Sequence, residues 1–92
     1  MSTGSSPHEL QAIRLHGLIT RLSGQLAPNT VELAQEMADA NEAPLALDMI
    51  SEMLVEGHAH IALQVFDEIE DLAAGLGLDP VVSERLRPLV GG

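Results

Sequence analysis

The sequence has 92 residues, one domain by length, and 31 Leu, Ile, Val, Met or Phe residues, enough for a core without metal or disulfide staples. It has no Cys, Trp or Tyr and one Phe, which excludes disulfide frameworks, thiolate zinc sites, cysteine nucleophiles and aromatic base-stacking platforms. Fourteen acids against four Arg and no Lys give a net charge of −10, a sign that argues against nucleic acid and anionic membrane surfaces and favours a basic protein or cationic ligand.

Residues 1–6 are small and polar and are expected to form a disordered N-terminal tail, ahead of a single helical domain over 7–90. Ser6, Pro7 and Glu9 spell a helix start, with Ser6 and Glu9 as a capping box. Leu10, Ile13, Leu15, Leu18, Ile19, Leu22 and Leu26 recur at spacings of about three and four, which predicts an amphipathic helix over 7–23 ended by Gly24 and Pro28. Asn29 with Glu32 is a second capping signal, and Val31, Ala34, Met37 and Ala38 form the buried stripe of a helix over 30–40. Asn41 is placed to end it in a left-handed turn. Pro44 opens a third helix over 43–56 with the stripe Ala46, Leu47, Ile50, Met53 and Leu54, and Gly57 stands just past its end. Ile61, Val65, Phe66, Ile69, Leu72, Ala73 and Leu76 predict a fourth helix over 61–76. Asp79 and Pro80 start a short fifth turn, with Val82, Leu86 and Leu89 facing inward. No period-two alternation bounded by turn residues predicts a strand. The expected fold class is all-α, a compact bundle of four helices plus a short C-terminal helix.

No apolar run approaches a membrane span, and Met1 to Pro7 lacks the charged and apolar regions of a signal peptide. The expectation is a soluble, cytoplasmic protein.

The acids are concentrated. From Leu22 to Glu84 there are thirteen carboxylates and no Arg or Lys; Arg14, Arg21, Arg85 and Arg87 all lie outside that span. Asp48, Glu52 and Glu56 form an i, i+4, i+8 row on the third helix, and Asp67, Glu68, Glu70 and Asp71 cluster on the fourth. Glu32, Glu36 and Asp39 repeat the pattern on the second. Like charges at i, i+4 cost roughly 0.2–0.5 kcal/mol per pair, where a Lys at i+4 would gain a similar amount. Acidic rows are commonly solvated faces that serve solubility. Their consistency here instead predicts a cation-seeking interface. The third-helix row and the fourth-helix cluster are its expected residues, both solvent-facing and brought into one surface by antiparallel packing, with the second helix around Glu32, Glu36 and Asp39 as the alternative face.

Other chemistry finds little support. Paired carboxylates of a glycosidase need a large cleft and aromatic sugar platforms. His58 and His60 form an H-x-H without two further ligands at defined spacing, so a turn with a capping His is the plainer reading and no metal is expected. Ser51 has no base matched to it, and there is no Gly-rich phosphate loop. Met37, Met49 and Met53 read as core filling. No enzyme and no cofactor is expected.

The middle of the chain resembles the MafI family of bacterial immunity proteins. In NEAPLALDMISEMLVEG, residues 41–57, the similarity rests on Glu42, Ala46, Leu47, Leu54 and Glu56. In IALQVFDEIEDLAAGLGLD, residues 61–79, it rests on Ile61, Ile69, Leu72, Ala73, Leu76, Leu78 and Asp79. The two stretches span about two-fifths of the chain, and their motifs are mostly hydrophobic spacing. Members often carry an aromatic after Leu-Asp, where Val81 and Val82 stand here. The resemblance implies a small helical protein that binds and blocks a cognate secreted toxin domain, often a nuclease with a basic cleft. The alternative is an acidic helical adaptor for another basic protein.

Overall fold

The computed structural model describes residues 7–91. Five helices follow in order, α1 (Pro7–Leu22), α2 (Pro28–Asp39), α3 (Ala43–Glu56), α4 (Leu63–Gly75) and α5 (Val81–Glu84), with 3-10 turns at Ser23–Gln25 and Arg87–Leu89. The chain is an all-α bundle of four helices with a short fifth. No described helix is long and apolar enough to cross a membrane. The expected tail over residues 1–6, and the capping box of Ser6 with Glu9, lie outside the described residues and side chains.

Helix α1 is the hub. Its Leu15, Leu18, Ile19 and Leu22 are at most 1% exposed, and it packs against α2, α3 and α4. Each such side chain contributes about 1.5–3 kcal/mol by leaving water. Ala46, Leu47, Ile50 and Leu54 of α3, Phe66, Ile69, Leu72 and Ala73 of α4, and Leu86 after α5 complete the same core. On α2 the buried positions are both alanines, Ala34 and Ala38, and they meet a third helix that offers Ala43 and Ala46. Small side chains on both sides let this antiparallel pair sit close, joined by only residues 40–42.

Helices α2, α3 and α4 end in one way. Asn41 (φ 66°), His58 (φ 51°) and Gly77 (φ 75°) take the left-handed conformation one residue past the cap. Each donates its amide to the carbonyl three residues back (Ala38, Val55 and Ala74). The next amide, of Glu42, Ala59 and Leu78, reaches back to Met37, Leu54 and Ala73. These paired bonds satisfy carbonyls that a helix end leaves open. Asn41 does what its residue type predicts. Gly57 does not: its φ is −84°, and the turn falls on His58 instead.

Three expectations need correction. Ile61 is extended, not helical. Its N–H donates to Leu89 O (2.9 Å) and its carbonyl accepts from Gly91 N (3.1 Å), forming an isolated parallel bridge with Val90. With those groups committed elsewhere, α4 starts only at Leu63. Asn29 caps nothing, because Pro28 already occupies the first turn of α2, where its preset φ and missing N–H fit. Leu10 and Ile13 are 54% and 63% exposed, outside the inward stripe of α1. The buried line through Leu15, Leu18 and Leu22 continues instead through half-buried Gln11 and Ala12, and Gln11 Nε2 donates to Gly75 O at 2.9 Å.

Candidate interaction surface

The arginines that stand apart from the acids in sequence return to them in space. On α3, Asp48 is half-buried and its Oδ1 accepts from Arg85 Nη2 at 2.7 Å. The same guanidinium lies 3.7 Å from Glu52 Oε2 through Nη1. On α4, Asp71 Oδ2 accepts from Arg14 Nη2 at 2.9 Å, and Glu68 pairs with Arg21. Arg14 and Arg21 sit two turns apart on α1, facing α4, so they meet carboxylates three residues apart there. Arg87 lies over the Phe66 ring, 5.6 Å from its centroid, a cation–π contact.

Four of the seven acids expected to form the interface, Asp48, Glu52, Glu68 and Asp71, therefore carry internal cations. Glu56, Asp67 and Glu70 are exposed and have no such partner among the described residues. The two groups also look to different neighbours, the α3 row to the segment after α5 and the α4 cluster to α1. No ion pair links one group to the other among the described residues. Ion pairs this exposed contribute about 0.2–1 kcal/mol, so they trim the field more than they lock the fold.

The acids of α2 are arranged differently. Glu32 and Glu36 are exposed, as is Glu42 in the turn that follows, and none has a cationic partner among the described residues. Asp39 Oδ1 lies 2.8 Å from His16 Nε2. Between Glu36 and Glu42 runs a shallow groove of about 250 Å³ lined by Leu33, Met37 and Ala40. Leu33 is 45% exposed, and Met37 is half-buried against the core. The expected interface did not include this groove. Its signal was present: Leu33, Met37 and Ala40 recur at i, i+4, i+7, one row over from the buried Ala34 and Ala38.

A larger cleft of about 470 Å³ lies between α3 and α5, with Pro44, Leu45, Leu78, Val81 and Val82 in its walls. Leu45 and Val81 are 51% and 49% exposed. Arg85 also lines it, and the Nε of that guanidinium is buried without a hydrogen-bond partner.

His58 is committed to the helix-ending turn. His60 is exposed, with its backbone N–H donating to Gln25 Oε1 at 3.1 Å. Among the described residues no group of three or more His, Asp or Glu side chains is placed to hold a metal. Ser51 is fully buried and donates its hydroxyl to Leu47 O, back along its own helix, at 2.9 Å. No protein-family model, no characterised protein and no solved structure matches this chain.

Proposed function

We propose that the chain acts by binding, as a cytoplasmic immunity protein that neutralises a cognate bacterial toxin domain. The observation that carries the reading is charge. Three of the four arginines, Arg14, Arg21 and Arg85, compensate only part of the acidic span, so exposed carboxylates on α2, α3 and α4 remain without internal cations among the described residues. A basic cleft built to hold a phosphate backbone is complementary to such a surface. The MafI resemblance makes a nuclease the favoured toxin. The acids steer it in, pair with its Lys and Arg, and displace its substrate; apolar anchors near the contact centre supply much of the affinity. Of the contact acids expected from the sequence, Asp48, Glu52 and Glu56 with Asp67, Glu68, Glu70 and Asp71, those already paired to Arg85, Arg21 and Arg14 are weaker candidates than Glu56, Asp67, Glu70 and the acids of α2. No catalytic residue, metal or cofactor enters this reading.

Co-purification with the product of an adjacent toxin gene tests the reading directly. The complex should form, and its association rate should fall steeply from low to high salt in stopped-flow mixing, because exposed charges are screened beyond about 8–10 Å near physiological ionic strength. A rate indifferent to salt would mean that the acids serve solubility alone.

A further inference from the structure

We infer that the groove along α2 is the docking site for an apolar side chain ringed by Lys and Arg on a basic protein partner, an inference that rests on the proposed function and locates its contact. Among the described residues, the α2 groove and the cleft between α3 and α5 both offer exposed aliphatic side chains, and the sign of their rims separates them. The cleft between α3 and α5 has the larger apolar walls, but Arg85 already bridges Asp48 and Glu52 at its edge. An incoming cation would meet a like charge there, and the unpartnered Arg85 Nε calls for an acceptor, not a donor. The α2 groove has the opposite character. Leu33, Met37 and Ala40 form its floor, Glu36 and Glu42 its sides, and Glu32 stands one turn before Glu36. None of these three carboxylates has a cation of its own among the described residues.

The fold makes the groove a stable feature. Met37 packs against the core from below, and its carbonyl accepts the Glu42 amide at 2.8 Å in the turn set by Asn41. That bond ties the floor to the far side of the groove. A second copy of this chain is a poor occupant, since each carries a net charge of −10 and would bring like-charged rims together. A partner with a single aliphatic or aromatic side chain between basic residues matches both the floor and the rim.

The test uses the full-length, nitrogen-15-labelled protein titrated with a synthetic amphipathic peptide of Leu and Lys alone, and with oligolysine of equal charge. Expected are amide shift changes centred on residues 33–42 and tighter binding of the Leu/Lys peptide than of oligolysine. Leu33→Ser and Glu36→Lys, both at exposed positions, should each weaken the Leu/Lys peptide about tenfold, whereas Leu45→Ser should leave it unchanged. Shifts centred on Leu45 and Val81 would overturn the location while leaving the basic-partner reading standing. Equal binding of the two probes, unaffected by Leu33→Ser, would overturn the role of the groove floor. A protein that sediments as a dimer, and as a monomer once Leu33 is Ser, would assign the groove to self-association and overturn the inference. Binding of neither probe would remove the basic-partner reading itself, and the docking site with it.

Discussion

Glu68 and Asp71 on α4 face α1 and meet Arg21 and Arg14; Glu32 and Glu36 on α2, spaced four apart, meet no cation among the described residues. In sequence the two helices look alike, each dense in acid and free of Lys and Arg. The difference comes from which elements pack together. Helix α1 turns its two arginines towards α4, and Arg85 returns to α3, so the second helix keeps the larger share of its charge for solvent. A run of one sign along a chain becomes a surface of that sign only where the packing supplies no counter-charge.

Substitutions that separate the two kinds of position sharpen this comparison. The largest effect belongs to the apolar side chains. Leu47→Ala removes a fully buried side chain of α3 and should cost about 2–5 kcal/mol in urea unfolding. Leu33→Ala, on the groove side of α2, should cost less than about 1 kcal/mol. Equal losses would place Leu33 in the core and remove the groove.

The turns that end the helices come next. Gly77→Ala should cost about 1–2 kcal/mol, because an added Cβ meets nothing within 4 Å and the penalty is that of a left-handed L-residue. His58→Gly removes the same penalty at the end of α3 and should gain up to about 1 kcal/mol, offset in part by the freer unfolded chain. Thermal unfolding of the two variants checks the pair of signs.

Charge reversal gives the smallest shifts and the most direct reading of the comparison. Asp71→Lys sets a cation against Arg14 and should lose up to about 1 kcal/mol, a loss that shrinks in high salt. Glu36→Lys breaks no ion pair and relieves the repulsion from Glu32, so stability should hold or rise by a few tenths, roughly 0.2–0.5 kcal/mol. If both reversals destabilise alike, Glu36 has a counter-charge after all.

The helices were legible because their signals are local. Asn41 and Pro44 mark the α2–α3 turn through their own backbone preferences, and the apolar period of α3 and α4 names nearly every buried residue there. What escaped the sequence is non-local. Ile61 keeps perfect helical spacing with Val65 and Ile69, yet its backbone is bonded to Leu89 and Gly91. Leu10 and Ile13 fit the α1 period as well as Gln11 and Ala12 do in part, and only the neighbouring helices decide which pair turns inward. The ion pairs join residues 57, 47 and 37 positions apart, a pairing that no run of acids announces. Helix faces are readable in the sequence, and their counter-charges are not.

The bridge between Ile61 and the segment after α5 has a kinetic side. One N–H, that of Ile61, is held by Leu89, and another, that of Gly91, is held by Ile61. A single separation of the two segments frees both protons at once. In hydrogen exchange these two amides should therefore share one opening free energy, below that of the α1 core, and should respond together to any change that loosens Arg87 from Phe66. The 29 residues between Ile61 and Gly91 are thus closed into a loop by a single pair of backbone bonds.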